Sequence, residues 1–336
     1  MIGFLPGLAV RLIILAGLAY PAGTGAARLA AAPLDVLAMT FNVQQPAGTD
    51  WEGRRERAAS IIAKEKPDFL GTQEAVAAQR DFLGARNPGY AWFGVGRDGG
   101  DNGEGSWIFY RSDRFRVDSL RSGNFWLSNT PGVPSRLGGS YNRLCTYARL
   151  IEKSTGRGLY VFNAHFYMPD QTDYRLASAR MLAKAVTERA VAADPVVVTG
   201  DFNSPETDTV THWYKHGTDN PFRLRDSYRD FDPNGAVTTG FGVKLDYIYV
   251  PDAPGYATTK AWVITDPAGA SDHMPTASAL RITAGDPVQV RAGSGGQSAR
   301  AATPELPDRF RADGRKEGIP SRQVWQAGRQ DLTAAP

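Results

Sequence analysis

Nine short apolar runs, rich in β-branched and aromatic residues, recur between residues 36 and 282. They occupy 36–41, 68–71, 92–95, 107–110, 144–151, 159–164, 196–199, 247–250 and 276–282, and each has the length and composition of a buried strand. Helical patterning is confined to 51–66 (closed by Pro67), 174–192 and a short stretch around 207–215. In the second of these, Leu176, Ala179, Leu182, Ala183 and Val186 share one face, as on a helix that covers a sheet. Many strands and few helices over about 250 residues point to two packed sheets with helices outside. No internal repeat interrupts that pattern.

The two ends are different polymers. Residues 1–32 read as an export signal: Arg11 precedes the apolar run 12–20, then Pro21 and the small-residue stretches Gly25-Ala26-Ala27 and Ala30-Ala31-Ala32. An uncleaved membrane anchor is the alternative. However, a bilayer span needs about 20 uninterrupted apolar residues, and Arg11 splits this run. The expectation is a secreted or periplasmic protein with no stable span once the signal is cleaved. Residues 284–336 contain Gly293-Ser294-Gly295-Gly296, mixed charges and isolated apolar residues such as Phe310 and Trp325, so they read as a disordered tail. The catalytic domain is expected at 33–283.

Charge and rare residue types narrow the chemistry. Between 33 and 283 there are 28 basic and 29 acidic residues, so the domain carries no global field to recruit nucleic acid or an anionic membrane. The single cysteine, Cys145, excludes an intrachain disulfide and a cysteine-based zinc cluster. With only four histidines (His165, His212, His216 and His273), metal chemistry must rest on carboxylates. Carboxylates favour hard cations such as Mg²⁺, Mn²⁺ or Ca²⁺.

Polar residues gather just past the ends of six strands: Asn42, Gln73-Glu74, Asn163 and His165, Thr199-Gly200-Asp201-Phe202-Asn203, Lys244-Leu245-Asp246, and Ser271-Asp272-His273. Loops at one rim of a layered fold are where sites assemble. Each element alone is a weak signal. A lone Glu or Asn at such a place is more often a turn or cap residue, whereas Asp and Asn two apart behind a glycine project to one side. Six such elements in this order form a constellation.

That constellation resembles the endonuclease/exonuclease/phosphatase superfamily, which includes pancreatic deoxyribonuclease, abasic-site endonucleases, inositol polyphosphate phosphatases and bacterial sphingomyelinases. The most specific signatures are Thr199–Asn203 and Ser271–His273 with Asp246 between them. Trp107–Tyr110, Asn124–Ser128 and Asn142–Arg149 are similar to a secreted bacterial branch of the group. The resemblance covers about residues 34–283. It implies a four-layer α/β/β/α sandwich of two mostly antiparallel sheets flanked by helices, and divalent-metal phosphoester hydrolysis.

Within it, Glu74 is the expected metal ligand, assisted by Asn42 and Asp272. Asp201 is expected to deprotonate the attacking water, and Asn203 to hold that water or a phosphate oxygen. His273 is expected as an imidazolium facing the phosphate, with Asp246 behind it. His165 is the second histidine. By similarity to deoxyribonuclease, Glu104 pairs with it as Asp246 pairs with His273.

Arg143 stands where the branch carries a basic residue reaching the phosphate, with a surface ion pair as the alternative. Tyr141, Trp126 and Trp213 are candidates for stacking on a substrate, against the plainer reading that they pack. Lys244 is expected near the catalytic loops, and Arg54, Arg55 and Arg57 on a helix away from the rim. His212 and His216 read as exposed helix residues and Cys145 as core. Phe166-Tyr167-Met168 depart from the polar pair that many relatives carry after the first histidine.

The reading is therefore a metal-dependent phosphoester hydrolase, monomeric and without an obligate protein partner. Its substrate is a small ester, a single-stranded nucleic acid or a lipid head group. A secreted endonuclease and a catalytically silent binding module on the same fold are the alternatives.

Overall fold

The computed structural model describes residues 32–265 and 269–284. The expected export signal and tail lie outside the described residues. In chain order the elements are β1 (Leu34–Asn42), α1 (Trp51–Glu65), β2 (Phe69–Gln73), α2 (Ala77–Arg86), β3 (Tyr90–Phe93), β4 (Ile108–Arg111), β5 (Phe115–Val117), β6 (Gly123–Trp126), β7 (Leu144–Glu152) and β8 (Gly158–His165). Then follow α3 (Thr172–Thr187), β9 (Val196–Asp201), α4 (Thr209–His216), β10 (Leu224–Asp226), α5 (Ser227–Phe231), β11 (Asp246–Pro251), β12 (Tyr256–Val263) and β13 (Thr276–Ile282).

Two sheets result. One runs β12-β13-β1-β2-β4-β3; the other runs β10-β11-β9-β8-β7-β5, with β6 also on β7. Pairing is antiparallel except at β1–β2 and β8–β9. All nine strands expected from the apolar runs are present, with ends shifted by a few residues. The short edge strands β5, β6 and β10, the exposed strand β12, and helices α2 and α5 were not anticipated. Helix α1 ends where expected: Lys66 turns left-handed (φ 52°) before Pro67, and Asp50 caps the other end by accepting from Gly53 N at 2.9 Å.

Three apolar clusters hold the layers together. Met39, Phe41, Leu70 and Phe109 pack on the outer face of the first sheet with Trp51, Ile61 and Ile62 of α1 and Leu83 of α2. Tyr160, Phe162, Val198 and Tyr249 do the same on the second sheet beneath Ala179, Leu182 and Val186 of α3 and Trp213 and Tyr214 of α4. Leu34, Val36, Phe69, Leu159, Val161, Val197, Ile248 and Leu280 fill the space between the sheets. This is the α/β/β/α sandwich. Among the described residues no helix is long and apolar enough to cross a membrane.

The space between the sheets changes character along the strands. Side chains alternate with period two, so the inward positions read Leu34, Val36, Ala38, Thr40, Asn42 on β1 and Leu159, Val161, Asn163, His165 on β8. On β9 they read Val197, Thr199, Asp201, and on β11, in reverse, Val250, Ile248, Asp246. One end of the interlayer is apolar, the middle is neutral and polar, and the other end carries ionisable groups.

The middle layer is a hydrogen-bonded clasp. Asn163, fully buried, donates from Nδ2 to the Thr72 carbonyl (2.9 Å) and the Trp107 carbonyl (3.0 Å) of the opposite sheet. Its Oδ1 accepts from Gln73 Nε2 (2.7 Å) and Thr199 Oγ1 (3.1 Å). All its hydrogen-bonding capacity is used. Gly71 faces this clasp, where a Cβ would stand 2.2 Å from Thr199 Oγ1 and 2.4 Å from Asn163 Oδ1, so only glycine fits.

Asn163→Leu keeps the branched shape but removes four bonds from a buried layer, and should cost about 3 kcal/mol or more. Gly71→Ala should be of similar severity. Urea denaturation of both variants tests this. Losses below about 1 kcal/mol in both would show that the clasp does not hold the sheets.

Candidate active site

The ionisable row is set by strand register. Parallel pairing of β8 with β9 places His165 beside Asp201, and antiparallel pairing of β9 with β11 places Asp246 on Asp201's other side. Three inward side chains of one sheet thus form a line. Asn42 at the end of β1 and Glu74 just past β2 face it from the other sheet. His273 enters on the loop before β13. Ser271 clamps that loop by donating from Oγ to the Asn42 carbonyl (2.7 Å) and accepting from His273 N (3.1 Å).

Asp201 is the hub. Its Oδ2 accepts from Asn42 Nδ2 (2.9 Å) and its Oδ1 from the Asn203 backbone N–H (2.9 Å). His165 Nε2 lies 3.5 Å and His273 Nε2 3.8 Å from the same Oδ2. Behind His273, Asp246 Oδ2 accepts from Nδ1 at 2.8 Å. Asp246, Asp201 and His273 are all buried.

Burial makes the charges in this row interdependent. It raises the Asp201 carboxyl from its usual range to about 7; the His273 charge pulls against the rise and Asp246 adds to it. Burial alone would lower His273, but the carboxylates of Asp246 and Asp201 outweigh it and lift the imidazole to about 10. His165 moves the other way. Burial, then the charges of Arg143 and His273, hold it well below its usual value, so it is neutral. Two histidines flanking one carboxylate thus take opposite charge states.

Backbone strain concentrates beside this hub. Glu74 (φ 63°) and Asn203 (φ 48°) both adopt the left-handed region without being glycine. Glu74 Oε1 accepts from Asn42 Nδ2 (2.9 Å) and Oε2 from Gln45 N (3.0 Å). Glu74, His165 and Asp201 each bring a ligand atom within 4.8 Å of the others.

As a donor set for a hard cation, the two carboxylates fit. Asn42, expected as an assisting ligand, is held by hydrogen bonds at both ends of its amide. Its Oδ1 accepts from Gln44 N (2.9 Å), and its amide nitrogen bridges the Glu74 and Asp201 carboxylates. Asp272 is exposed on the Ser271 loop and belongs to neither cluster of candidate ligands among the described residues.

Other expectations are corrected here. Glu104 does not pair with His165. Its Oε2 accepts from Arg97 Nη1 at 2.6 Å, and Arg143 lies between the two, 3.9 Å from Glu104 Oε2 and 2.8 Å from His165 Nδ1. Arg143 is buried, which excludes the surface ion pair. Arg54 is not remote from the rim: its guanidinium donates to the carbonyls of Val43, Gln44 and Ala270 and ties the loop after β1 to the loop before β13. Lys244 is spent on a buried ion pair with Asp226 (2.9 Å).

Trp126 and Trp213 are buried, with indole N–H groups donated to the Arg97 carbonyl and Asp219; both pack. Tyr141 remains exposed, its ring 4.4 Å from the Arg97 guanidinium. Cys145 is core, and His212 and His216 lie exposed on α4. Sequence reasoning missed Arg97 and Phe241. The latter is exposed and edge-on to His273 at 6.2 Å, and an aromatic between two glycines five residues before Asp246 is the signal that marks it.

The profile of the Endonuclease/Exonuclease/phosphatase family matches residues 39–273. A Bacteroides vulgatus protein of that family is 29% identical, superposes with a TM-score of 0.67, and is matched over 74% of this chain and 99% of its own. A Bacteroides thetaiotaomicron mannosyl-6-phosphatase is 28% identical, with a TM-score of 0.63 over 73% of this chain and 99% of its own. The human Nocturnin catalytic domain, at 20% identity, 74% and 94% coverage and a TM-score of 0.61, shares the fold. Curated proteins yield no match.

The His273–Asp246 contact is directly testable. In metal-free protein followed by NMR, the His273 ring should stay protonated well above neutral pH, and Asp246→Asn should lower its titration midpoint by more than about one pH unit. An unmoved midpoint would mean that Asp246 does not set the charge.

Proposed function

Since the chain belongs to the endonuclease/exonuclease/phosphatase family, we propose that it is an exported, divalent-metal-dependent hydrolase of small phosphate esters. The observation that carries this reading is Asp201. It is a buried carboxylate near neutral pKa, flanked by one cationic and one neutral histidine and facing Glu74 across the sheets. Such a group accepts a proton at physiological pH without being permanently protonated.

Glu74, with Asp201 beside it and Asp272 on the neighbouring loop, would hold the ion. When bound, a hard cation such as Mg²⁺ or Mn²⁺ supplies Lewis-acid polarisation of a phosphate oxygen. Asp201 orients the attacking water and takes its proton at a carboxylate oxygen. Asn203, fixed by its backbone bond to Asp201, holds that water or an equatorial oxygen. His273 presents Nε2–H to the negative charge that builds on the phosphoryl oxygens, and Asp246 keeps that charge on the ring. Asn42 fixes the spacing of Glu74 and Asp201. Every position that a silent relative would have released is filled, which argues against a pure binding module.

Substrate size follows from the surroundings. Beside Arg143 lies a small recess of about 40 Å³ lined by Ser140, Tyr141, Arg143, Tyr167, Met168 and Gln171. At its rim, exposed Tyr141 offers a substrate group a flat face. Among the described residues, Arg54, Arg97 and Arg143 beside the site are each committed to internal partners, which does not favour tracking of a duplex backbone. The mannosyl-6-phosphatase relative supports a sugar phosphate.

Turnover of a small phosphoester should require Mg²⁺ or Mn²⁺, and Glu74→Gln, which removes a ligand charge at constant size, should abolish it. Full activity of that variant in EDTA would end the metal-hydrolase reading. Across a panel of sugar phosphates, bis-p-nitrophenyl phosphate, sphingomyelin, single strands and plasmid, kcat/KM should be highest for a small ester and change little up to about 300 mM salt. A preference above tenfold for duplex DNA that collapses with salt would reverse the substrate assignment.

A further inference from the structure

The two histidines sit on either side of Asp201, yet their second ring nitrogens meet opposite partners. His273 Nδ1 faces a carboxylate, whereas His165 Nδ1 faces Arg143 Nη1 at 2.8 Å. A guanidinium N–H only donates, and it does not lose its proton in a protein. A bond there requires a lone pair on Nδ1, which puts the His165 proton on Nε2.

Asn203 competes for the other tautomer. Its Nδ2 lies 3.1 Å from His165 Nε2, and a hydrogen bond there would need the lone pair on Nε2 instead. Two comparisons decide between them. Asn203 Nδ2 has another acceptor, the Phe166 carbonyl at 3.1 Å. Arg143 has no comparable alternative: Glu104 Oε2 is 3.9 Å away, and its Nη2 meets only the Met168 thioether at 3.6 Å. The charge-assisted bond is also shorter, and such bonds are roughly twice as strong as neutral ones. Arg143 therefore wins, and Nε2–H is left facing Asp201 Oδ2 at 3.5 Å.

We propose that Arg143 is a positioning residue that locks His165 as the Nε2–H tautomer, a standing hydrogen-bond donor to Asp201 and to the substrate. The substrate half of this statement rests on the hydrolase reading; the tautomer does not. Glu104 and Arg97 brace Arg143 from behind. Two consequences follow. With no lone pair on Nε2, His165 cannot ligate an ion, so within the cluster of Glu74, His165 and Asp201 only the carboxylates are ligands. As a neutral donor, His165 also does not protonate the leaving group as an imidazolium would.

Ring-nitrogen NMR of the full chain, ¹⁵N-labelled at histidine, metal-free and near pH 7.5, reads the tautomer directly. Wild type should show His165 with a bare Nδ1 and a protonated Nε2. Arg143→Met should let the Nδ1–H form appear as Asn203 takes over, and Arg143→Lys, which keeps a donor, should restore Nε2–H. In turnover, Arg143→Met should lower kcat by about 10-fold or more and change KM less, as loss of a transition-state donor does.

Nδ1–H or a doubly protonated ring in wild type overturns the proposal, and that result does not depend on any variant folding. An unchanged tautomer in Arg143→Met does the same. Because the spectrum needs neither metal nor substrate, failure of the hydrolase reading would show separately, as the expected tautomer without turnover.

Discussion

Three hydrogen bonds of the Asn163 amide fix one sheet against the other, and the site depends on that registration. Asn163 lies two residues before His165 on β8 and beside Thr199, itself two residues before Asp201 on β9. On the opposite sheet it grips the carbonyls of Thr72 and Trp107 and the side chain of Gln73, next to Glu74. A slide of one sheet over the other would have to break this clasp before it could part Asp201 from Asn42 and Glu74. Apolar packing tolerates repacking, whereas a buried hydrogen-bond set is tied to particular partner atoms. A fully satisfied buried polar group is directional, and costly to leave half-bonded.

The same economy of position separates the charge states across the site. His165, Asp201 and Asp246 are cross-strand neighbours on one face, so each feels the next at short range in a buried setting. Burial, with the Arg143 guanidinium behind it, keeps His165 a neutral donor, whereas the carboxylates around His273 outweigh its burial and make it a cation. Asp201, between them, is left at about 7. The surrounding protein supplies this asymmetry through Glu104, Arg97 and Arg143, three residues spread over the loops that precede β4 and β7.

Much of this was legible in the sequence because the strands are buried on both faces and carry near-continuous apolar runs. The period-two drift from Leu159 and Val161 to Asn163 and His165 can be read directly as a core that becomes a site. The four-layer arrangement and the gathering of Glu74, Asp201, Asn203, Asp246 and His273 at one rim followed from it and from the family resemblance. What failed has physical reasons. Strand β12 exposes one face and pairs at the sheet edge, so its sequence carries little apolar signal. Helix α2 buries Gln79 and Arg80 beside Leu83, which disguises its inner face. Arg54 looked remote because α1 covers the sheet, but at the fourth residue of that helix its long side chain reaches back over the first turn to the rim loops. Glu104 was placed by analogy with a carboxylate–histidine pair, and Arg143 in the same neighbourhood took the histidine instead. No sequence pattern shows which end of the Asn42 amide faces a carboxylate.

The account turns on Asp246 and His273 acting as one charged unit beside Asp201. A double-mutant cycle on kcat for the preferred small phosphoester tests that most directly. Asp246→Asn and His273→Ala should each lower kcat by about 10²-fold, and the double variant should be no slower than His273→Ala alone, because the second change removes nothing the first has left working. If the two losses multiply instead, Asp246 serves some purpose other than holding the His273 charge, and the electrostatic account of the site is wrong.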